Sequence, residues 1–493
     1  MLHKKIGTVF FCLILAICLV WAQQPGEISY HDDPAFPEGP RGDLIRSLID
    51  TINTGGPARI QHFLEEKCTE SFRNFAPMEQ HLQVFRQFFW RTGGVEFHSI
   101  RTYKPERPQD TVVILQDRNY GSWQAFVLGF SADNIPLISR IAFSTARTPT
   151  DIEEPALDET GLIREIKSFL DRICEKNIFS GTVLVAKGDN ILLTRANGEA
   201  SKRFHAPNNI DTKFNLGSMN KMFTSTAIVQ LAEKGILSLQ DPISKYIDES
   251  WLPKDVTSNI TIHHLLTHTS GLGSYFNDTY NKTSRQQFIE LDDYKPLIKD
   301  DRPAFEPGER FLYSNTGMFL LGVVIEKATG ENYYTYIRNH ITGPAGMENT
   351  DCYRMDYPVE NLAIGYSPDP GNPWGWQNNI YKHVLRGGPA GGGFSTVKDL
   401  FRFARALVEG KLVSQESLKI LWTDQAGSNY GCGFSVETGA AGKVVGHGGG
   451  FPGISSNLDI FLDKDFMVAV MSNIDGGAIP VSGKIQQLIG RLK

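Results

Sequence analysis

The chain has 493 residues, of which 41% are hydrophobic and 21% are charged, and its formal net charge is −6. This length exceeds what one hydrophobic core usually serves, so we expect two domains. A mildly acidic chain without a long basic run gives no reason to expect nucleic acid as a partner. The composition is that of an ordinary globular protein.

Residues 1–22 have the pattern of a secretory signal peptide. Lys4 and Lys5 precede an apolar run from Ile6 to Trp21, and the small Ala22 stands at a suitable cleavage position. The alternative is an uncleaved anchor, but the run is short for a membrane-spanning helix. We therefore expect export to the periplasm or the extracellular space, with no stable membrane span after signal removal.

The four cysteines that follow this segment are widely spaced and include no C-x-x-C motif. They are Cys68, Cys174, Cys352 and Cys432. Export permits disulfides, but four cysteines in a chain of this size do not make a disulfide framework. We predict that they are buried free thiols.

Residues 27–145 are predicted to form a small α+β accessory domain. Asp43 could cap a first helix that ends between Asn53 and Pro57, and residues 60–66 would form a second. Strand-like runs follow at 95–102, 111–116, 123–130 and 137–143. Helices followed by an antiparallel sheet resemble the nuclear-transport-factor-2-like (NTF2-like) superfamily. No residue pattern in this region points to chemistry.

Residues 146–159 are polar, with two prolines and an acidic cluster, and we interpret them as a linker. The remainder, 160–493, opens with an amphipathic helix at 162–175 and a hairpin of 182–186 and 190–194. A mainly helical middle extends to about residue 425, and strand-like runs return at 430–436, 443–445, 458–462 and 467–471. A helix at 481–492 closes the chain. Strands from both ends are expected to form one antiparallel sheet against which the helices pack.

Three short strings in fixed order predict an active site in this second domain. The first contains Ser218 and Lys221, which lie on the same face of a helix if the segment is helical. A serine hydroxyl needs an adjacent base to become a nucleophile, and lysine can be that base. The helix they would open is strongly apolar up to Gly235, which favours a buried position for the pair.

The second string is Tyr313-Ser314-Asn315, in a turn before a helix predicted for 316–327. Tyr313 could relay a proton, and Asn315 could hold either a substrate carbonyl or the lysine ammonium. Both strings have internal competitors with the same spacing. Ser395 and Lys398 also fit S-x-x-K, but Ser395 begins a charged helix and is predicted to be its N-cap. Tyr275 and Asn277 repeat the Tyr-x-Asn pattern.

These strings, with 265–272 (LLTHTSGL), 307–315 (PGERFLYSN) and 389–394 (PAGGGF), resemble the β-lactamase-related serine hydrolases, nearest to class C β-lactamases and family VIII esterases. The resemblance covers about two thirds of the chain. It implies an α+β, β-lactamase/transpeptidase-like fold, with an antiparallel sheet flanked by helices and an all-helical region. It also implies that Ser218 is acylated, that Lys221 and Tyr313 move protons, and that Asn315 orders the substrate. The N–H groups of Ser218 and Gly450 would form the oxyanion hole.

The third string, His447-Gly448-Gly449, departs from the pattern of that family. β-Lactamases and penicillin-binding proteins carry Lys-Thr-Gly there. A mostly neutral imidazole suits a substrate carboxylate less well than a charged lysine does. The difference favours an esterase, or a peptidase of another specificity, with His447, Gly448 and Gly449 lining the substrate site. It also leaves open a mechanism in which His447 is the base.

Other motifs are interpreted as structural. His264 and His268 are spaced like zinc ligands but lack the glutamate of H-E-x-x-H, so a loop-packing role is expected. Gly448 to Gly453 fits G-x-G-x-x-G, yet Pro452 and the following strand exclude a dinucleotide site.

We therefore expect an exported serine hydrolase without cofactor or metal that acts on a small ester or amide. A β-lactamase or D-amino-acid peptidase is the alternative enzyme, and a non-catalytic penicillin-sensor-like or scaffold protein is the alternative outside enzymes. The sequence does not specify the substrate or the oligomeric state.

Overall fold

The computed structural model describes residues 29–105, 110–369 and 371–493. The predicted signal peptide lies outside the described residues. The described chain divides into two compact units, one ending at Ala156 and the other extending from Leu157 to Lys493. No helix in the described ranges combines the length and hydropathy needed to cross a membrane.

The N-terminal unit packs four helices against one antiparallel sheet with strand order β1-β2-β3-β4-β5. Its helices are α1 (Gly39–Thr54), α2 (Pro57–Lys67), α3 (Glu70–Asn74) and α4 (Met78–Thr92). Its strands are β1 (Ser29–Asp33), β2 (Val95–Lys104), β3 (Thr111–Asp117), β4 (Trp123–Phe130) and β5 (Ile138–Thr145). The predicted order, helices before the sheet, is found except for β1, which precedes the helices, whereas the likeness to NTF2-like proteins stays a prediction.

Two expectations for this unit were wrong or incomplete. Asp43 does not cap the first helix, because α1 begins four residues earlier at Gly39, with a proline in its first turn. Proline suits that position since its fixed φ matches a helix and its missing N–H would be unpaired there. The sequence analysis also omitted β1, α3 and α4. The boundary between the units falls within the predicted linker, 146–159, after Ala156. Asp158 caps the helix Glu159–Glu175.

The C-terminal unit contains a six-stranded antiparallel sheet with order β14-β15-β16-β17-β6-β7. Its strands come from both ends of the unit, as predicted: β6 (Gly181–Lys187), β7 (Asn190–Asn197), β14 (Ser435–Gly439), β15 (Gly442–Phe451), β16 (Ile454–Phe461) and β17 (Phe466–Ser472). Short two-residue and three-residue strands complete the order: β8 (Glu199–Ser201), β9 (Ala206–Pro207), β10 (Phe214–Asn215), β11 (Tyr366–Pro368), β12 (Trp376–Asn378) and β13 (Phe394–Ser395). These connect the sheet to the helical region.

Helices of the C-terminal unit flank the sheet and fill the middle of the chain. They are α5 (Glu159–Glu175), α6 (Asn220–Glu233), α7 (Lys254–Thr257), α8 (Ile262–Leu266), α9 (Asp278–Lys282), α10 (Lys295–Ile298), α11 (Asn315–Thr329), α12 (Tyr333–Ile337), α13 (Val397–Val408), α14 (Gln415–Leu421) and α15 (Ala478–Gly490). Helices α6 and α11 are buried along almost their whole length, and their apolar residues form part of one hydrophobic core. These two central helices carry Lys221 and Asn315 into the core.

Two local predictions in this unit were wrong. Ser395 is not a helix cap, since it lies in β13 and the side chain of Thr396 accepts the N–H of Asp399 instead. The strand predicted for 430–436 begins only at Ser435. The segment before it is bound to helical neighbours, with the Cys432 N–H donating to the carbonyl of Leu421.

The four cysteines are buried free thiols, which confirms the prediction made for them.

Candidate active site

The segment that carries Ser218 is held tightly against β15. Gly217 has φ +51°, and a Cβ there would lie 2.8 Å from the backbone nitrogen of Gly450. Only glycine fits this approach without moving one of the two backbones. Asn215 Oδ1 accepts the N–H of Gly217 at 2.8 Å, and Ser456 Oγ donates to the carbonyl of Leu216 at 2.7 Å. The local sequence thus fixes the serine beside the glycine-rich strand.

Ser218 and Lys221 are brought together as predicted, although by a 3-10 turn rather than by the first turn of an α-helix. The 3-10 turn spans Gly217–Met219, and α6 begins at Asn220. Lys221 Nζ lies 3.1 Å from Ser218 Oγ. The lysine side chain is fully buried, whereas the serine is half-buried and can be reached from outside.

Two other oxygen atoms surround the Lys221 amine, and both are pure acceptors. Asn315 Oδ1 is 3.0 Å from Nζ, and the carbonyl oxygen of Ala390 is 2.5 Å from it. A neutral amine has two N–H bonds and one lone pair. If those two carbonyls take the N–H bonds, the lone pair remains for the hydroxyl proton of Ser218. The geometry therefore suits a lysine that acts as a base.

Burial favours the neutral amine that this geometry requires. No carboxylate forms a salt bridge with Lys221 within the described residues. Removing an ammonium from water without a compensating charge destabilises its charged form. Burial accordingly lowers the pKa of Lys221 well below its ordinary value.

Tyr313 is positioned by His268. The Nδ1 atom of His268 accepts the N–H of Ser314 at 3.1 Å, and its carbonyl accepts the N–H of Leu312 at 2.8 Å. The imidazole also packs on the Tyr313 ring, with 4.3 Å between ring centroids. Burial raises the pKa of Tyr313, while its hydrogen bond with Ser218 opposes that rise. The phenol is thus a neutral group held next to the serine.

His264 and His268 both have the packing role expected from the sequence. The sequence analysis did not foresee the contact of His268 with Tyr313. His264 completes a capping box with Thr261 at the start of α8, so it too has a structural role. No set of three or more histidine, cysteine, aspartate or glutamate side chains in the described chain is arranged to hold a metal ion. Nothing in the spacing of His268 and Ser314 along the sequence could have indicated their hydrogen bond.

Asn315 uses both ends of its amide within the protein. Its Oδ1 faces Lys221, and its Nδ2 donates to Ser274 Oγ at 3.2 Å. Ser314 caps α11 by accepting the N–H of Gly317, which fixes the helix end that presents the amide. Of the two uses expected for Asn315, the structure shows the one in which it holds the lysine.

His447 lies in the same buried cluster, but both of its ring nitrogens bind other groups. Nδ1 is 2.5 Å from the carbonyl oxygen of Gly448, and Nε2 is 3.0 Å from the hydroxyl of Tyr430. Because a carbonyl only accepts, Nδ1 carries the proton and Nε2 accepts from the tyrosine. Burial and the nearby Lys221 lower the pKa of His447 to about 3, so the ring is neutral. This arrangement disfavours His447 as the base for Ser218.

The glycines after His447 allow β15 to approach residues 216–218, the segment that carries the nucleophile and is called the nucleophile segment below. A Cβ on Gly449 would lie 1.9 Å from the carbonyl oxygen of Leu216, and Gly448 faces Asn457 of β16. Gly450 is exposed, with its nitrogen beside Gly217. The backbone nitrogen of Gly450 therefore lies beside Gly217, the residue that precedes the serine.

The competing motifs do not reach this site. The hydroxyl of Ser395 is fully buried and 2.7 Å from Thr350 Oγ1, and Lys398 binds Asp211 at the surface. Tyr275 packs among core aromatic rings, and Asn277 caps α9. The order of the three strings along the chain therefore correctly distinguished the clustered residues from other residues with the same spacing.

Comparison with known proteins identifies the family of the C-terminal unit. The Beta-lactamase family model matches residues 160–487. Penicillin-binding protein 4* of Bacillus subtilis (strain 168) is 33% identical over 327 residues, covering 63% of this chain and 71% of that protein. Esterase EstB of Burkholderia gladioli is 29% identical over 231 residues, covering 44% of this chain and 58% of the esterase.

A solved structure shares the fold as well. The D-stereospecific amidohydrolase from Streptomyces sp. has a TM-score of 0.54 and 26% identity, with 66% of this chain and 98% of that chain covered. The residues that the family model matches lie within the C-terminal unit. The chain therefore belongs to the Beta-lactamase family, and it is an enzyme of the serine hydrolase superfamily.

Proposed function

We propose that this protein hydrolyses small esters or amides through an acyl-enzyme on Ser218. The observation that carries the proposal is the environment of Lys221 Nζ, where two carbonyl oxygens and the serine hydroxyl surround a buried amine. Such a lysine can be neutral near physiological pH and accept a proton. The relatives include an esterase and an amidohydrolase by name, which supports the same chemistry.

The proposed reaction has two halves. The Ser218 hydroxyl transfers its proton to Lys221 as its oxygen bonds to the substrate carbonyl carbon. The N–H groups of Ser218 and Gly450 bind the resulting oxyanion; loss of one such donor in a hydrolase costs about 3–4 kcal/mol. Collapse expels the alcohol or amine, which takes a proton from Lys221 or Tyr313. Water then attacks the acyl-enzyme by the same route, releasing the acid and restoring Ser218.

The state of His447 favours esterase or amidase activity over β-lactamase activity. The imidazole is neutral and both of its nitrogens are hydrogen-bonded within the protein, so it offers no positive charge to a substrate carboxylate. Asn315, which was expected to order the substrate, is directed at the lysine instead. Gly448 and Gly449 remain candidates for the substrate-binding strand edge. A D-amino-acid peptidase or amidase is the second candidate, favoured by the likeness to the D-stereospecific amidohydrolase.

A substrate panel separates these activities. We expect purified protein to hydrolyse p-nitrophenyl esters of short acids faster than nitrocefin or D-alanyl peptides. Ser218→Ala provides the background rate for each substrate. Preferred turnover of nitrocefin would reject the esterase assignment in favour of a β-lactamase. Failure of every substrate, with no covalent labelling of Ser218, would favour a penicillin-sensor-like or scaffold protein.

The role of His447 has its own test. His447→Gln keeps an uncharged side chain that can donate or accept a hydrogen bond but cannot act as a general base. We expect this variant to keep ester hydrolysis within about tenfold of the wild type, since a residue that is not the base costs less than 10²–10⁴-fold. If His447→Gln lost acylation while Lys221→Met kept it, histidine would be the base.

Export and domain organisation complete the proposal. Residues 1–22 are proposed to direct secretion and to be removed, and residues 27–145 are proposed to be an accessory domain joined to 160–493 through 146–159. N-terminal sequencing of protein secreted from an expression host would place the cleavage site. A mature chain that still starts at Met1 would contradict the signal peptide.

A further inference from the structure

We infer that Phe276, His383 and Phe451 form an aromatic wall that binds an apolar, planar group on the acyl side of the substrate. The inference rests on the proposed function and adds a substrate class to it. The wall is continuous: the centroids of Phe276 and Phe451 are 5.7 Å apart, and those of His383 and Phe451 are 5.8 Å apart. All three residues are half-buried, so none of them lies wholly within the core.

The wall adjoins the proposed oxyanion site. Phe451 directly follows Gly450, whose nitrogen lies beside Gly217. Side chains two residues apart on a strand share a face, so His447, Gly449 and Phe451 lie on one face of β15. Gly449 on that face is in contact with the backbone of Leu216, the first residue of the nucleophile segment. Phe451 therefore extends the face of β15 that contacts the site.

Phe276 is connected to Lys221 through a chain of three hydrogen bonds, the first of which runs from the Phe276 N–H to Ser274 Oγ at 3.4 Å. Ser274 Oγ accepts from Asn315 Nδ2 at 3.2 Å, and Asn315 Oδ1 is 3.0 Å from Lys221 Nζ. Phe276 stands two residues after Ser274, and its ring packs against Tyr275 and Tyr280. These contacts restrict the ring, so little entropy is lost when a substrate group packs on it.

His383 is connected to the turn that follows Phe451. Asn379 Nδ2 donates to the carbonyl oxygen of Pro452 at 2.8 Å, and Lys382 N–H donates to the carbonyl of Asn379 at 2.8 Å. Burial lowers the pKa of His383 to about 4, which leaves its ring uncharged. The ammonium of the adjacent Lys382 is engaged by Gln377. The wall therefore presents uncharged rings, which suit a flat apolar group better than a carboxylate.

The position of the proton donor assigns the wall to the acyl side. The leaving group must receive its proton from Lys221 or Tyr313, and the Tyr313 ring packs near His447, 6.4 Å between centroids. Phe451 lies four residues further along β15, a separation of about 13 Å in an extended strand. Gly450 stands between them. A carbonyl bound at Gly450 would thus direct its leaving group toward Tyr313 and its acyl group toward Phe451.

The test compares acyl groups that share one leaving group. We expect wild-type protein to have a higher kcat/KM for p-nitrophenyl phenylacetate than for p-nitrophenyl acetate. In Phe451→Ala and Phe276→Ala that ratio should fall about tenfold, as expected for the loss of one aromatic contact in an apolar pocket. Phe451→Leu, which keeps apolar volume, should lose less. The matched control is Phe204→Ala, because Phe204 is a largely exposed phenylalanine of the same unit.

The kinetic results distinguish failure of the aromatic wall from failure of the proposed function. An unchanged ratio in both alanine variants, with melting temperatures near that of the wild type, would overturn it while leaving the hydrolase function intact. A ratio that falls equally in Phe204→Ala would overturn it too. Absence of ester hydrolysis and of Ser218 labelling in the wild type would instead refute the proposed function, and the inference with it. A fall confined to Phe276 and Phe451 variants would support the wall.

Discussion

Two serine–lysine pairs with the same spacing, Ser218–Lys221 and Ser395–Lys398, occupy opposite environments in this chain. In the first pair the serine is half-buried and the lysine fully buried. In the second the serine is fully buried, and the lysine side chain is 37% exposed and paired with Asp211. The comparison teaches that a motif supplies reactive groups, whereas burial decides which of them can react. A nucleophile needs an accessible hydroxyl, and its lysine needs to lose its charge.

The largest difference between the pairs should appear when the serines are exchanged for alanine. We expect Ser218→Ala to reduce kcat/KM for p-nitrophenyl acetate by about 10⁴-fold or more, because the covalent route is lost. Ser395→Ala removes a buried hydrogen bond with Thr350 that involves none of the reacting groups, so it should keep the activity of the wild type. Steady-state kinetics on both purified variants measures the contrast. Equal losses would mean that the two serines do not differ as proposed.

Exchanging the lysines should change the pH dependence as well as the rate. Lys221 must be neutral to accept a proton, and burial lowers its pKa, so the amine becomes active at a lower pH than a free lysine would. Wild-type kcat/KM should rise with pH through that lowered pKa and then level off. In Lys221→Met, kcat/KM should fall about 10³-fold and should no longer rise with pH.

Lys398→Met is the matched control for this pH profile. Its ammonium is at the surface and binds Asp211, so both the rate and the profile should match the wild type. A Lys221→Met variant that retained the rising profile would assign it to another group and contradict the lysine-base account.

The two Tyr-x-Asn motifs extend the same contrast with a smaller effect. Tyr313→Phe removes the phenol that bonds Ser218, and we expect about a 10²-fold loss in kcat/KM, typical of a proton-transfer residue. Tyr275→Phe keeps the ring that packs against Tyr294 and Phe319 in the core. It should stay within about threefold of the wild type, since it touches none of the reacting atoms. Similar losses in both variants would indicate a packing effect.

The smallest effect concerns stability. Lys398→Ala removes a surface ion pair with Asp211, and we expect the free energy of unfolding to fall by about 0.2–1 kcal/mol. Urea unfolding followed by tryptophan fluorescence, with and without high salt, measures this change. A loss of several kcal/mol would show that the second pair has a larger structural role than its exposure indicates.

Periodicity and the order of motifs predicted the framework that carries the site. The apolar run after Ser218 predicted a central buried helix, and the strand patterns at both ends of the C-terminal unit predicted one sheet, because both features depend on local sequence. The first turn was less predictable, since the 3-10 geometry at Gly217–Met219 depends on contact with β15.

The contacts that define the chemistry could not be predicted. His268 and Ser314 are far apart in sequence, and so are Asn315 and Lys221. Tyr430 was assigned to a strand, so its hydrogen bond with His447 was not foreseen. These partners meet through loops and helix packing, for which a single sequence contains no periodic pattern. The residue types near the serine were therefore predictable, whereas the partners that tune them were not.

The most direct test of the account is covalent labelling of the serine. Wild-type protein treated with a fluorophosphonate should gain one adduct in intact-mass analysis, and peptide mapping should locate it on Ser218. The adduct should vanish in Ser218→Ala, persist in Ser395→Ala, and form far more slowly in Lys221→Met. Labelling of another serine, or the absence of any adduct on folded wild-type protein, would contradict the proposal that Lys221 activates Ser218.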